Sequence, residues 1–277
     1  MQKHLVIIGA GAAGLPVASQ VRRKNKNIEI TVITSCEYFA YSPCGIPFVV
    51  SGMINSFDNL ILRDMKYYSE MNINILNKTT VDKIDLDAQE INFGNDKIKY
   101  DILVIASGAT PIIPPIPGIE LEGVYFLNSL EDALRISKSL KNAKSPTIIG
   151  AGSIGLEMAH AFLKKGLKSR VIEMKDRVLP NMLDKDMGGI VEEYLTSLNM
   201  NINTSTVASS ILGEKKVNYV KANGNEFETD LVLVSVGVRP NVELAKNAGI
   251  ETGSTGGIVT DASLRVRRKG KFLKNVY

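Results

Sequence analysis

Cysteine and histidine are scarce in this chain of 277 residues, with two of each: Cys36, Cys44, His4 and His160. Two cysteines cannot build a disulfide framework. Two histidines so far apart in sequence read as packing or surface residues, and no metal site is expected. No apolar run reaches the ~18 residues of a membrane span. The opening "MQKHLVIIGAG" enters a strand and a glycine turn directly, without the charged region, apolar stretch and cleavage site of a secretory signal. A membrane is not an expected partner, and a cytoplasmic location is expected. A dominant charge sign is also lacking, since 33 basic and 29 acidic residues leave a net charge of +4. Basic residues gather only in "RRKNK" (22–26) and "RVRRKGK" (265–271), both read as solvated surface. No aromatic residues interleave them as a base-stacking platform, so nucleic acid is not an expected partner.

What is present is ordinary globular material, 44% apolar and 22% charged. Its length suits two domains of roughly 100–200 residues each. The informative feature is a repeat. "HLVIIGAGAAGLPVASQ" starts at residue 4 and "SPTIIGAGSIGLEMAHA" at residue 145. Each runs from an apolar strand through G-A-G-x-x-G into a helix-like segment. In the first copy Gly9, Gly11 and Gly14 mark the motif, with Ala12 and Ala13 between. In the second it is Gly150, Gly152 and Gly155, with Ser153 and Ile154. The first glycine permits a tight turn, the second a close backbone approach to a pyrophosphate, and the third tight helix–strand packing. A helix N-terminus then offers N–H groups to the phosphates. Two copies in the right local context predict two nucleotide-binding domains.

Glu173 lies 23 residues past Gly150, at the end of a predicted strand, where a ribose-binding acid belongs. A carboxylate there disfavours a 2′-phosphate and points to NADH, while Lys175 and Arg177 keep NADPH open. The first copy has Thr34 or Ser35 at this place, so its dinucleotide binding rests more on the glycines. Strands are predicted at 4–8, 28–33, 102–106, 147–149, 170–173 and 231–236. Helices are predicted after each fingerprint and at 130–142 and 186–198, with short β-like runs across 73–99. Such alternation predicts an α/β fold with parallel, doubly wound sheets.

"YSPCGIPF" (41–48) holds Cys44 among glycine and proline. Three readings stand: a small packed residue, half of a disulfide with Cys36, or a reactive sulfur. The thiolate is the reactive form, and a helix N-terminus favours it. Pro47 suits the first turn of such a helix, and Gly45 would let backbone approach a ring or substrate closely. Cys36 is read as packing or partly exposed.

These motifs, with "YDILVIASGATPIIPPIPG" (100–118), "RVLPNMLDKDM" (177–187), "DLVLVSVGVRPN" (230–241) and "GGIVTDASLR" (256–265), resemble the flavin-dependent pyridine nucleotide-disulfide oxidoreductases. Within them the chain is similar to the coenzyme A-disulfide reductase, NADH oxidase and NAD(P)H polysulfide reductase group. The resemblance implies two Rossmann-like three-layer domains, the NAD domain inserted into the FAD domain. The implied boundaries are 1–112 and 243–277 for FAD and 113–242 for NAD(P)H, with the proline-rich "TPIIPPIPG" as hinge. It implies FAD on the first fingerprint and NADH, with NADPH open, on the second. Further implied cofactor contacts are Pro43, Val81, Ala106, Ser107, Gly108 and Gly237.

The resemblance also implies that Cys44 is a single redox cysteine, because Val49 stands where a dithiol relative has its second cysteine. The implied cycle carries hydride from NADH to FAD and electrons on to a mixed disulfide or oxidised sulfur at Cys44. Gln20 and Arg23 match a pair that contacts coenzyme A in relatives, with Ser42 as a further substrate contact. Ala40 and Pro43 depart from the usual approach to the cysteine. That departure leaves coenzyme A disulfide, another disulfide, a persulfide, a polysulfide or O2 as acceptor. Relatives continue past "NVY" into an acid that contacts the flavin and a C-terminal interface domain that forms a homodimer. That domain is expected to be absent here, and a shortened, non-catalytic nucleotide-binding protein is the rival reading.

Overall fold

The structure, a computed structural model, describes residues 2–277. Among them are seven α-helices: α1 (Gly14–Lys24), α2 (Ile46–Ser51), α3 (Met65–Glu70), α4 (Leu130–Leu140), α5 (Ser153–Lys164), α6 (Lys185–Ser197) and α7 (Glu243–Asn247). The chain divides into two compact units. The first comprises Met1–Tyr41, Ile61–Thr110 and Arg239–Tyr277, and the second Ser42–Leu60 and Pro111–Val238.

In the first unit the apolar, β-branched runs "HLVII", "EITVI" and "ILVI" become strands of a four-stranded parallel sheet. Its spatial order is Asn74–Leu76, Glu29–Ile33, His4–Ile8, Ile102–Ile105. The pleat sends successive side chains to opposite faces. Leu5 and Ile7 accordingly join Leu15, Ala18 and Tyr68 of α1 and α3 in one core. Val6 and Ile8 join Ile84, Ile91, Tyr100, Ala245 and Val266 in another. The second core is closed by α7 and by the antiparallel strands Lys83–Asp85, Glu90–Phe93 and Asp96–Lys99. This unit therefore has three layers.

The second unit repeats the plan. Its five parallel strands run in the order Asn201–Asn203, Arg170–Ile172, Pro146–Ile149, Leu231–Val234, Val124–Phe126. One face packs Ile149, Ile172, Val232 and Val234 on Ile211, Val220 and Ala222 of an antiparallel three-stranded sheet. α5 buries Leu156, Met158, Ala159 and Phe162. In both units the strand that carries the glycine motif lies beside the strand where chain order reverses. Ligands of open α/β sheets bind outside the carboxyl ends at that point.

Neither basic cluster is a plain solvated surface. Arg22 is buried, and its guanidinium donates to the carbonyls of Lys26 at 2.9 Å and Asn72 at 2.7 Å. Arg265 pairs with Asp261, Arg267 with Glu251, and Arg268 forks both oxygens of Asp87 at 2.6 and 3.0 Å. These contacts engage Arg22, Arg265, Arg267 and Arg268 inside the first unit, while Arg23, Lys24 and Lys26 stay exposed. No helix among the described residues is long and apolar enough to cross a membrane.

Candidate functional site: two dinucleotide cradles and a cysteine turn

The two glycine motifs fold into near-duplicates. Gly9 has φ +106° and donates its N–H to the Ile33 carbonyl at 2.8 Å, while Gly150 has φ +108° and donates to Ile172 at 2.8 Å. A Cβ on Gly9 would lie 2.0 Å from the Ala106 carbonyl oxygen, and one on Gly150 would lie 2.3 Å from that of Ser235. Third glycines are equally constrained. A Cβ on Gly14 or Gly155 would come within 1.9 or 2.1 Å of the first glycine's own oxygen. The middle glycines differ, because a Cβ on Gly11 or Gly152 would meet no atom within 4 Å. Packing therefore demands glycine at the outer positions, and the middle one borders open space.

α1 starts after Ala13 and α5 after Gly152, and neither start has a side-chain cap. Their first-turn N–H groups and positive dipole ends face that open space. Ala12, Ala13, Ser153 and Ile154 are exposed around it. An open cradle with uncapped amides fits a pyrophosphate in each unit.

Strand ends beside the cradles also correspond. Thr34 donates its N–H to Leu76 and accepts from Thr79; Glu173 donates to Asn203 and accepts from Thr206. Thr34 thus shares the backbone frame of Glu173, and Ser35 follows it, exposed. The hydroxyl of Thr34 accepts the Cys36 N–H at 3.4 Å. The Glu173 carboxylate, 8% exposed, accepts N–H bonds from Ala151 and Lys175, each at 2.8 Å.

Ala106 donates its N–H to Ile8 at 2.8 Å beneath the first cradle. Ser107 and Asn241 lock together: the Ser107 hydroxyl donates to the Asn241 carbonyl at 2.7 Å, and the Asn241 amide returns to Ser107 O at 2.9 Å. The Asn241 N–H also donates to Gly108, whose φ is +70°. In the second unit Gly237, φ +114°, accepts from Ile112 at 2.9 Å. Asn241 escaped the sequence reading. Its signal was the echo of "SGATP" (107–111) in "VGVRP" (236–240), which marks equivalent strand ends. Val81 is half-buried against the second core of the first unit.

Cys44 occupies a 3-10 turn, Pro43–Gly45, that leads into α2 with Pro47 in its first turn. It is exposed, as is Pro43, and Ser42 is half-buried with its N–H on Leu60 O at 2.9 Å. Both cysteines are free thiols. Cys36 is exposed, which leaves the exposed one of its two expected readings. At Gly45 the close neighbour within the protein is Leu60. A Cβ there would lie 2.3 Å from Cδ2 of Leu60, so the glycine admits that side chain. Gln20 and Arg23 are both exposed on α1. The described residues contain no cluster of three or more metal-ligating side chains.

Comparison with known proteins accords with this duplicated architecture. The chain is 44% identical over 256 residues to an NADH oxidase of Methanocaldococcus jannaschii, covering 90% of the chain and 57% of that protein. It is 34% identical over 281 residues to an NAD(P)H coenzyme A polysulfide/persulfide reductase of Pyrococcus horikoshii, covering 100% and 62%. The solved NAD-dependent persulfide reductase of A. fulgidus superposes with a TM-score of 0.93 at 38% identity, over 99% of this chain and 53% of that one. The chain thus spans about 57–62% of the length of these curated relatives. A family model described as pyridine nucleotide-disulphide oxidoreductase matches residues 3–273, and the chain belongs to that family.

Proposed function

We propose that this chain forms the two nucleotide-binding units of a flavin-dependent NAD(P)H oxidoreductase that reduces a disulfide, persulfide or polysulfide through Cys44. The observation that carries the reading is the doubled cradle together with one exposed thiol at the start of a helix. FAD is assigned to residues 1–112 and 243–277, at Gly9, Gly11 and Gly14 with Thr34, Val81 and Ala106–Gly108. NAD(P)H is assigned to residues 113–242, at Gly150, Gly152 and Gly155 with Glu173 and Gly237. When bound, FAD supplies hydride acceptance and electron delivery to sulfur.

The protein's own contributions are simpler. Open amides at each helix start hold pyrophosphate, and Thr34 and Glu173 offer oxygens to ribose. Cys44 is exposed for attack on a substrate sulfur, in the turn that leads into α2. Val49 leaves it without a resolving partner five residues on, which suits exchange with an external thiol or sulfide. Gln20 and Arg23 are offered to the nucleotide end of coenzyme A, with Ser42 beside the cysteine. O2 reduction through a Cys44 sulfenic acid is the second reading, favoured by the relative named NADH oxidase. A homodimer belongs to the proposal for the longer protein.

The test is NADH consumption with O2, coenzyme A disulfide or polysulfide as acceptor, for the wild type and Cys44→Ser. Sulfur-dependent turnover should vanish in the variant while flavin absorbance still bleaches with NADH. Sulfur turnover that survives the substitution would remove Cys44 from the mechanism.

A further inference from the structure

The loop after Glu173 carries cations, and the structure shows what each is doing. Lys175 donates its ammonium to Asn181 Oδ1 at 2.9 Å. Arg177 donates Nε to the Leu183 carbonyl at 3.3 Å and Nη1 to Asp176 Oδ1 at 2.8 Å. The Arg177 stem also lies against Gly188, where an added Cβ would meet Cδ at 3.1 Å. Lys185 stands 4.0 Å from the other Asp176 oxygen. Asp176 therefore serves two cations at once.

The loop itself is pinned. Leu179 has φ +48° immediately before Pro180, a conformation that costs energy for a bulky residue and is disfavoured before proline. It is held there by its N–H on Ala151 O at 2.9 Å, and its own carbonyl accepts from Met182 and Leu183. Ser205 adds a bond to the Lys175 carbonyl at 2.8 Å. Because Ala151 also donates to Glu173, loop, carboxylate and glycine turn form one hydrogen-bonded body. A loop fixed in this way does not readily swing Arg177 towards a new anion.

We propose that Asp176 is a specificity-determining residue of the second cradle, retaining Arg177 and Lys185 so that a 2′-phosphate beside Glu173 is left uncompensated and NADH is selected over NADPH. This deepens the assignment of that cradle to NAD(P)H and rests on it. Asp176 acts through its neighbours, so it is a positioning residue. Its own negative charge adds to that of Glu173 against a phosphate dianion.

Calorimetric titration of the full chain with NADH and with NADPH tests the idea without turnover. Wild type should bind NADH about tenfold more tightly. Asp176→Asn should strengthen NADPH binding about fivefold, as an exposed ion pair is released, with NADH changed less than about twofold. Asp176→Glu should restore the wild-type ratio. Arg177→Ala in the wild-type background should leave NADPH affinity unchanged, because that side chain is already engaged. If Arg177→Ala selectively weakens NADPH, or if Asp176→Asn shifts both dinucleotides in parallel, the proposal is overturned. Equal wild-type affinities would also overturn it while leaving the dinucleotide assignment standing. Failure of both ligands to bind would remove the assignment itself, and the proposal with it.

Discussion

Gly9 and Gly11 stand two positions apart and answer to different demands. At Gly9 an added Cβ would strike the Ala106 carbonyl from a backbone with φ +106°, so Gly9→Ala should cost about 2–4 kcal/mol in urea unfolding. Gly11→Ala meets nothing within 4 Å and should stay within about 0.5 kcal/mol of wild type. Equal losses at the two sites would contradict the packing described. Tyr100 poses another residue-scale question. It is 4% exposed, and its hydroxyl has no hydrogen-bond partner among the described residues. Burial first, and then the charge of Asp85, push its phenol up to about 12. An unfolded tyrosine ionises near ~10, so the folded chain keeps a proton that the unfolded chain releases. The stability involved is complete below pH ~10 and falls as pH rises towards 12, at no more than about 1.4 kcal/mol per pH unit. Tyr100→Phe should flatten that slope and, by removing an unpaired hydroxyl, match or exceed wild-type stability at neutral pH.

Helix starts separate into two kinds at the scale of elements. α4 has a full capping box, Ser129 accepting the Asp132 N–H while Asp132 accepts the Ser129 N–H. Asp64 and Asp184 cap α3 and α6. The helices after the two glycine motifs have no such side chain. The three side-chain caps contribute stability, whereas the starts of α1 and α5 beside the glycine motifs, like those of α2 and α7, have none. Ser129→Ala should therefore lower unfolding free energy by about 1 kcal/mol, while Ser129→Asp should retain it. A loss below about 0.3 kcal/mol for the alanine variant would mean the box contributes little here.

For the whole molecule, each cradle is built from residues of its own unit. Gly11→Ala should therefore reduce flavin retained on purification, read by absorbance near 450 nm, and leave calorimetric NADH affinity intact. Gly152→Ala should do the reverse. If either substitution removes both ligands, the two sites are not independent in the way their construction implies.

Parts of this protein that depend on neighbours in sequence were readable before any fold was known. The glycine spacing, the strands expected at 4–8 and 231–236 (the latter observed as Leu231–Val234), and the helix turn after Cys44 rest on backbone torsion, pleat periodicity and local apolar runs. Those effects act within a few residues. Other features needed the chain to return on itself. Arg268 meets Asp87 across 181 residues, Asn241 meets Ser107 across 134, and Gly45 yields to Leu60. The same holds for the buried guanidinium of Arg22. Composition counted the cations after Glu173 correctly but could not say where their charge goes. That depends on which carboxylate or carbonyl folding brings within about 3 Å, a distance that sequence separation does not encode.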